Sequence, residues 1–424
     1  MKHSLNAQQI TSLNMITGWA VAGFADTPFM VLSGSPGTGK SYLVSQLLKE
    51  TNRIRQIRKT LKMEPLHEVV LTATTNRAVA SLKEQVDADV LTMHAYLGIL
   101  MKPTPGRRNH LTAHYINNDL ICNTLIIIDE FSYITEGELS YLSSRIGPGS
   151  AVLLVGDADQ LLKQGCTISP VVNKGYPYTE LTLTERYDPE SAIGDLVRMF
   201  KHAVRTGEFY PVRPDGESFI HYTSDQAEEY QKDVLETFQG NPDTRVLAWT
   251  NKTVMEYNHW LMNALRGDPF FAVGDRVLVN QYHSYGGTTI RNEEIVVIAA
   301  CSIPGQDEYT SQHAYPYTPG KFYQLKGHSQ GFFVPTDPKA KERILTELCN
   351  LGGDPEERRL ISDTWIDIRP YFSSTINKSQ GITCDNVFID VRDVSRCRDA
   401  NQLARLLNVG ASRARKRVVM FGDL

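Results

Sequence analysis

The chain has no apolar run approaching the roughly 20 residues needed to span a bilayer, and its first residues, Met1-Lys2-His3-Ser4, form no apolar signal region. A soluble protein of the cytoplasm is therefore expected. Cysteine is sparse. The six present (Cys122, Cys166, Cys301, Cys349, Cys384 and Cys397) include no Cys-x-x-Cys pair, which disfavours a zinc site or a disulfide framework and fits a reducing compartment. Basic residues are not in excess. Lys and Arg number 44 against 48 Asp and Glu, for a net charge of −4. That balance argues against wrapping a nucleic-acid duplex by bulk charge, although holding a few phosphates in a cleft needs no basic total. Internal repeats and low-complexity tails are also missing. What remains is an ordinary globular composition, 41% hydrophobic over 424 residues, with length for roughly two to four domains.

Within that composition one stretch organises the rest: Val31-Leu32-Ser33-Gly34-Ser35-Pro36-Gly37-Thr38-Gly39-Lys40-Ser41. It reads as a buried strand, a glycine-rich turn and the start of a helix, the setting of a phosphate-binding loop. Glycines let consecutive backbone N–H groups converge on an anion, and the following helix offers its positive end. Lys40 supplies a point charge for the β- and γ-phosphates, and the Ser41 hydroxyl a ligand for Mg²⁺. ATP and Mg²⁺ are the expected cofactors.

The first half alternates short apolar runs with helical patterns. Strands are expected at Phe29 to Leu32, Val69 to Ala73, Leu125 to Asp129, Ala151 to Asp157 and around Leu181 and Leu183. Helices are expected from the loop through Leu48 and from Asn76 to Gln85. Such a pattern implies a parallel sheet covered on both faces, with ligands at the carboxyl ends of its strands. A second α/β unit begins near Ser191, with a strand at Arg245 to Thr250 and a helix at Asn251 to Arg266. Alternation at Val273 to Val279 and Glu294 to Ala299 marks an inserted β module, followed by helices at Lys339 to Asn350 and Glu356 to Asp363. The α/β pattern resumes at Val387 to Val391 and closes with a helix at Gln402 to Ser412 and a strand at Arg417 to Phe421. The basic run Arg53, Arg55, Arg58, Lys59 and Lys62 reads as a solvated helix face.

Two carboxylates end the run Ile126-Ile127-Ile128-Asp129-Glu130. Asp129 suits a water-mediated metal contact and Glu130 the orientation and deprotonation of an attacking water. Gly156-Asp157-Ala158-Asp159-Gln160 ends the next strand; Gln160 is a candidate for sensing the γ-phosphate, or the segment is an ordinary turn. Arg186 and Arg413 are candidates for stabilising charge on a transferring phosphoryl group.

The order of these motifs resembles a superfamily 1 helicase, in the Dda-like, 5′-to-3′ branch related to RecD, over nearly the whole chain. Leu5-Asn6-Ala7-Gln8-Gln9 resembles the glutamine motif, which implies that Gln9 reads the adenine edge. Thr72 to Ala78 and Thr92-Met93-His94 are similar to strand-contacting elements of a first motor domain. Ala248-Trp249-Thr250-Asn251 and Ser374 to Gly381 are similar to those of a second. Val409 to Arg415 resembles the motif whose arginine, here Arg413, reaches the nucleotide from the second domain. The resemblance implies catalytic roles for Lys40, Glu130, Gln160, Arg186 and Arg413. It implies nucleotide contacts by Gln9, Gly34, Ser35, Pro36, Gly37, Thr38, Gly39, Lys40, Ser41, Tyr187 and Gly381, and metal contacts by Ser41 and Asp129. Single-stranded DNA would meet Thr74, Asn76, Thr92, His94, Trp249, Thr250, Asn251, Ser374, Thr375, Asn377 and Lys378. From the residues alone, Trp249 is equally a core aromatic, and the threonines are equally strand formers.

The sequence departs from the family pattern at three places. Asn377 replaces a His, Asn408 stands where Tyr is common, and Leu161-Leu162 replaces Leu-Pro-Pro. The resemblance further implies an α/β fold of two RecA-like parallel-sheet motor domains. The first is expected at residues 1–190, with a pin at about 98–120 that turns at Pro103-Thr104-Pro105-Gly106 beside Arg107, Arg108, His110 and His114, a segment that from composition alone is equally a solvated basic loop. The second is expected at 191–270 plus 370–424, with an inserted SH3-like β-barrel and helical extension at 271–369. The implied activity is ATP-driven 5′-to-3′ translocation and unwinding. Alternatives are a translocase that displaces proteins, or a phosphate-loop ATPase that switches a protein partner. Implied partners are single-stranded and forked DNA and a single-stranded-DNA-binding protein or replisome component, with the chain a monomer. Motors of this size are typical of phages acting in a host cytoplasm.

Overall fold

The computed structural model describes residues 4–22, 27–103, 111–163, 169–267, 270–280, 283–285, 288–290, 294–301, 308–309, 318–337 and 339–423. The chain forms two compact units, Met1–Ala227 with Ser379–Leu424, and Glu228–Lys378. These limits differ from the expected domain boundaries.

In the first unit, six parallel strands lie in the order Val90–Thr92, Glu68–Ala73, Thr124–Asp129, Ala151–Gly156, Phe29–Gly34, Tyr178–Leu181. Every residue of Phe29–Gly34 and Ala151–Gly156 is buried, which is why these strands read as continuous apolar runs rather than alternating ones. Leu183 lies beyond the last strand and is exposed. Pairing stops because the Thr182 and Leu183 amides donate instead to Gln8 Oε1, at 2.9 and 3.2 Å.

The helix after the phosphate loop runs Lys40–Thr60, three turns beyond the expected end at Leu48. Its inner face continues through Ile54 to Arg58, both buried. The basic run is therefore not simply a solvated face. The Arg58 guanidinium donates to Ala20 O (2.8 Å) and Glu64 O (2.6 and 2.9 Å), and Arg55 donates to Leu66 O (2.9 Å) and His67 O (2.7 Å). These arginines close orphan carbonyls that the periodicity does not display. Ile99–Pro103 and Leu111–Tyr115 form an antiparallel hairpin; the expected turn and its basic flank at 104–110 lie outside the described residues.

The first unit also holds Phe219–Tyr222, Ala414–Phe421 and Cys384–Asp390, parallel and in that order. Helices Ala192–Thr206 and Ala400–Ala411 pack together through Ala203, Val204 and Ala404.

In the second unit, Thr244–Ala248 pairs in parallel with Ser373–Thr375, and helix Asn251–Arg266 follows. An antiparallel sheet runs Glu308–Tyr309, Thr318–Leu325, Ile295–Cys301, Arg276–Val279, Ile368–Pro370, with Gly331–Pro335 also on Thr318–Leu325. Val277, Val279, Ile298, Tyr323 and Phe332 fill its core. Helices Ala340–Asn350 and Pro355–Thr364 pack around Phe333 and Trp365. Val273, the first residue of the expected strand Val273 to Val279, lies before the observed strand Arg276–Val279 and is exposed. No helix among the described residues is long and apolar enough to cross a membrane.

Candidate active site

The site is built at the carboxyl ends of the parallel strands of the first unit. Gly37 and Gly39 have φ of 84° and 81°, a conformation that L side chains resist. Neither position has room for one. A Cβ on Gly39 would stand 2.4 Å from Gln9 Nε2, and one on Gly37 2.6 Å from Arg186 Cβ. The loop is thus wedged between the glutamine motif and Arg186. Lys40 Nζ folds back onto the loop's first residues, donating to Gly34 O (2.6 Å) and Ser35 O (3.1 Å). The helix starting at Lys40 has no acidic residue in its first turn and no capping side chain, so its N-terminal field is not neutralised locally. Gln9 is buried. Its amide donates to Thr38 O (3.1 Å) and accepts from Asn6 N (3.0 Å).

Asp129 ends its strand, and its Oδ1 accepts the Glu130 N–H at 2.9 Å. Glu130 adopts φ 59°, ψ 50°, a left-handed conformation uncommon for a non-glycine residue. Thr74 Oγ1 and the Tyr133 amide donate to its carbonyl at 3.1 and 3.2 Å, pinning the turn that aims the side chain. Glu130 Oε2 is buried and has no hydrogen-bond partner among the described residues. Burial, then the charge of Asp129, pushes its carboxyl up to about 7, the range of a general base working near neutrality. Burial also raises Asp129, opposed by Lys40, and lowers Lys40, opposed by Asp157, Glu130 and Asp129.

A metal would find the Ser41 hydroxyl and the Asp129 carboxylate here. Among the described residues no cluster of three or more His, Cys, Asp or Glu side chains could hold an ion. This sparse donor set fits Mg²⁺, which completes its shell with water and substrate phosphates.

Gln160 is buried, and its Oε1 accepts from Gln380 Nε2 at 3.2 Å. Gln380 in turn accepts from the Tyr133 hydroxyl. The backbone around Gln160 is clamped: Arg405 donates to Ala158 O (2.7 Å) and Gln160 O (2.6 Å), and Asn408 to Asp159 O (3.0 Å). Asn408, which departs from the family's Tyr, thus has a positioning task.

Arg186 Nη1 donates to Ser412 O at 2.6 Å. Burial and the nearby charge of Arg413 bring its guanidinium down to about 9. Burial lifts the adjoining Tyr187 hydroxyl to about 12. Arg413 is 2% exposed. It donates to Val409 O (3.0 Å) and Ser412 Oγ (3.1 Å), and its charge is favoured by Glu130 and Asp157 against the effect of burial. The structure therefore brings together Lys40, Asp129, Glu130, Arg186 and Arg413, residues scattered from one end of the chain to the other. Gly381 is exposed at φ 77° with open space around it. Sequence reasoning gave no role to Asp157, Tyr133, Arg405 or Asn408. Asp157 follows Gly156 directly and is buried with Oδ2 unpartnered among the described residues. The polar residues Arg405 and Asn408 interrupt an otherwise apolar helix face, which was the available signal.

The strand-contact candidates fall in both units. In the first, Thr92 caps helix Met93–Leu97, Asn76 is exposed and opens a helix capped by Thr75, and His94 Nε2 is 2.7 Å from Glu138 Oε1. In the second, Thr250 caps Asn251–Arg266, Trp249 is half-buried at a strand end, and Thr375 accepts from the Lys378 amide (3.3 Å). Lys378 Nζ donates to Asn280 Oδ1 at 3.0 Å, Ser374 is buried, and Asn377 and Asn251 are exposed.

Residues 18–166 match the AAA domain family and residues 370–421 the UvrD-like helicase C-terminal domain family. The chain is similar to the RecD subunit of the RecBCD enzyme of Mycobacterium tuberculosis, 27% identical over 217 residues, covering 46% of this chain and 36% of that protein. It is also similar to the ATP-dependent RecD2 DNA helicase of Deinococcus radiodurans, 31% identical over 181 residues, 42% of this chain and 20% of that protein. The match thus spans about a third or less of these relatives. In fold it resembles the crystal structure of Pif1 helicase from Candida albicans, at a TM-score of 0.51 and 15% identity over 100% of this chain and 95% of that one, with two RecA-like domains as the shared architecture. The two family matches, an AAA domain followed by a UvrD-like helicase C-terminal domain, together with the relatives of RecD type, make the chain similar to the superfamily 1 helicases.

Proposed function

We propose that the protein hydrolyses Mg-ATP and uses the energy to translocate 5′-to-3′ along single-stranded DNA and unwind duplex. The observation that carries the reading is the burial of Arg413 within electrostatic reach of Glu130, beside the Lys40 loop. A buried guanidinium beside a carboxylate of raised pKa is the constellation of a phosphoryl-transfer site. In this reading the loop amides and Lys40 hold the triphosphate, and Glu130 takes a proton from the attacking water. Arg413 and Arg186 stabilise charge growing on the γ-oxygens. Ser41 and Asp129 would hold Mg²⁺, which would neutralise phosphate charge when bound. The Gln160–Gln380–Tyr133 chain, contiguous with these groups, senses whether the γ-phosphate is present.

Strand grip is assigned to Thr74, Asn76, Thr92, His94, Trp249, Thr250, Asn251, Ser374, Thr375, Asn377 and Lys378 through phosphate contacts and stacking, which tolerate any base sequence. The hairpin Ile99–Pro103/Leu111–Tyr115 is assigned to the pin, and the antiparallel sheet of the second unit to a barrel module that bears on the duplex. The 5′-to-3′ direction, a monomeric motor and a replisome partner rest on the family resemblance. The test is ATP hydrolysis with and without single-stranded DNA, alongside unwinding of 5′-tailed, 3′-tailed and blunt duplexes. DNA-stimulated hydrolysis with preferential unwinding of the 5′-tailed substrate is expected. Preference for the 3′ tail overturns the polarity, stimulated hydrolysis without unwinding favours a protein-displacing translocase, and hydrolysis indifferent to DNA sinks the motor reading.

A further inference from the structure

Helix Ala192–Thr206 presents two cations one turn apart, Lys201 and Arg205. Arg205 grips the Asp159 carboxylate with Nη2 at 2.7 Å, on the segment that ends in Gln160. Lys201 Nζ donates to the Ser35 hydroxyl of the phosphate loop. Among the described residues this is the only hydrogen bond of the Lys201 side chain, and no carboxylate lies within ion-pair distance of it. Ser35 also accepts, at its carbonyl, from Lys40 Nζ at 3.1 Å. Two ammonium groups therefore converge on one neutral, buried residue. Like charges repel in such a place, and an anion between them turns the repulsion into attraction.

We propose that Lys201 is a second phosphate-directed lysine, which contacts the terminal phosphate of a bound nucleoside triphosphate; the proposal rests on the nucleotide-site reading above. The end of the triphosphate it serves follows from Lys40. The lysine of this loop type reaches the β- and γ-phosphates, and Lys40 Nζ lies over Gly34 and Ser35, the residues beside Lys201. The helix end, where the inner phosphates rest, is at the other side of the loop. Lys201 thus distinguishes a triphosphate from a diphosphate, and Arg205 on the same helix face ties that contact to the Gln160 segment.

The test compares Lys201→Met, which keeps the aliphatic stem and its packing, with the wild type and with Lys201→Arg. Binding of ADP and of the non-hydrolysable β,γ-imido analogue of ATP is measured by titration with Mg²⁺ present. In Lys201→Met the analogue is expected to bind roughly tenfold to a hundredfold more weakly, the effect of losing a charged hydrogen bond, while ADP binding changes less than about twofold. Lys201→Arg is expected to recover most of the loss. Equal weakening of both nucleotides means that Lys201 only shapes the loop, and unchanged binding of both means that it does not reach the phosphate; either overturns the proposal. If the wild type binds neither nucleotide, the nucleotide-site reading fails instead.

Discussion

Two sets of polar residues near strand ends behave differently. Around the phosphate loop, Glu130, Asp157 and Arg413 carry charge in buried surroundings, and Glu130 Oε2 and Asp157 Oδ2 have no partner among the described residues. Burial of that kind costs free energy that no local folding need repays. Among the strand-contact candidates, Thr92 and Thr250 cap helices, and His94 and Lys378 are hydrogen-bonded to neighbouring side chains. Each has a sufficient structural reason to be there. The first set therefore argues for chemistry from its energetics alone, whereas the second must earn its function by experiment.

The largest effects that could break this contrast lie in the first set. Lys40→Ala is expected to abolish hydrolysis, and Arg413→Ala to lower kcat by about 10³-fold or more, both read in a steady-state ATPase assay. An unchanged rate in Arg413→Ala would point to a nucleotide switch acting on a protein partner. Glu130, with its carboxyl near 7, gives a pH signature. A base must be deprotonated, so the rate rises with pH through about 7, and Glu130→Gln removes both the rate and that rise. The stability effect has the opposite sign. The group's folded pKa is raised above the unfolded one, so its burden on folding grows as pH climbs from about 4.5 towards 7. Glu130→Gln should accordingly melt higher than the wild type at pH 8.

Glu138 sits between the sets. It is buried, caps helix Glu136–Arg145 through Thr135, and meets His94 and Lys163, each at 2.7 Å. Although burial alone would raise its carboxyl, hydrogen bonds from His94, Lys163 and Thr135 hold it far below the usual range. Its stabilisation is present above the unfolded carboxylate pKa of about 4.5 and is lost as pH falls towards the folded value. Glu138→Gln is expected to destabilise by about 2 kcal/mol at pH 7 and by less near pH 3, measured by urea unfolding. The smallest effect sharpens the comparison most. Thr92→Ala and Thr250→Ala should each lose about 1 kcal/mol of stability as caps, and the Asn variants should retain it. If Thr250→Asn keeps stability and DNA-stimulated hydrolysis alike, its hydroxyl is a cap and nothing more; a selective loss of DNA stimulation moves it into the functional set.

Much of the site was legible because its chemistry is local. Gly34 to Ser41 needs glycine at fixed offsets, and Asp129-Glu130 must follow an apolar strand, so both can be seen without coordinates. The helices Asn76–Gln85 and Asn251–Arg266 were legible from their helical pattern following an apolar strand, whereas the caps at their starts, Thr75 and Thr250, emerged only in the structure. The inward turn of Ile54 and Arg58 was not, because a guanidinium that satisfies Ala20 O and Glu64 O looks in sequence like any exposed arginine.

By itself the sequence determined the repeating strand–helix order, the phosphate loop and its paired carboxylates, since backbone conformation and short-range spacing dictate those. Only the tertiary structure decided which distant groups complete the site: Arg413 against Glu130, Asn408 and Arg405 on the Gln160 segment, Lys201 on Ser35. The reason is physical. An arginine, asparagine or lysine has a long or freely rotating polar side chain with no positional signature of its own. Its role is set by the buried surroundings that the folded chain supplies, whether a carbonyl at about 3 Å, as for Arg405 and Asn408, or a charge within electrostatic reach, as for Arg413.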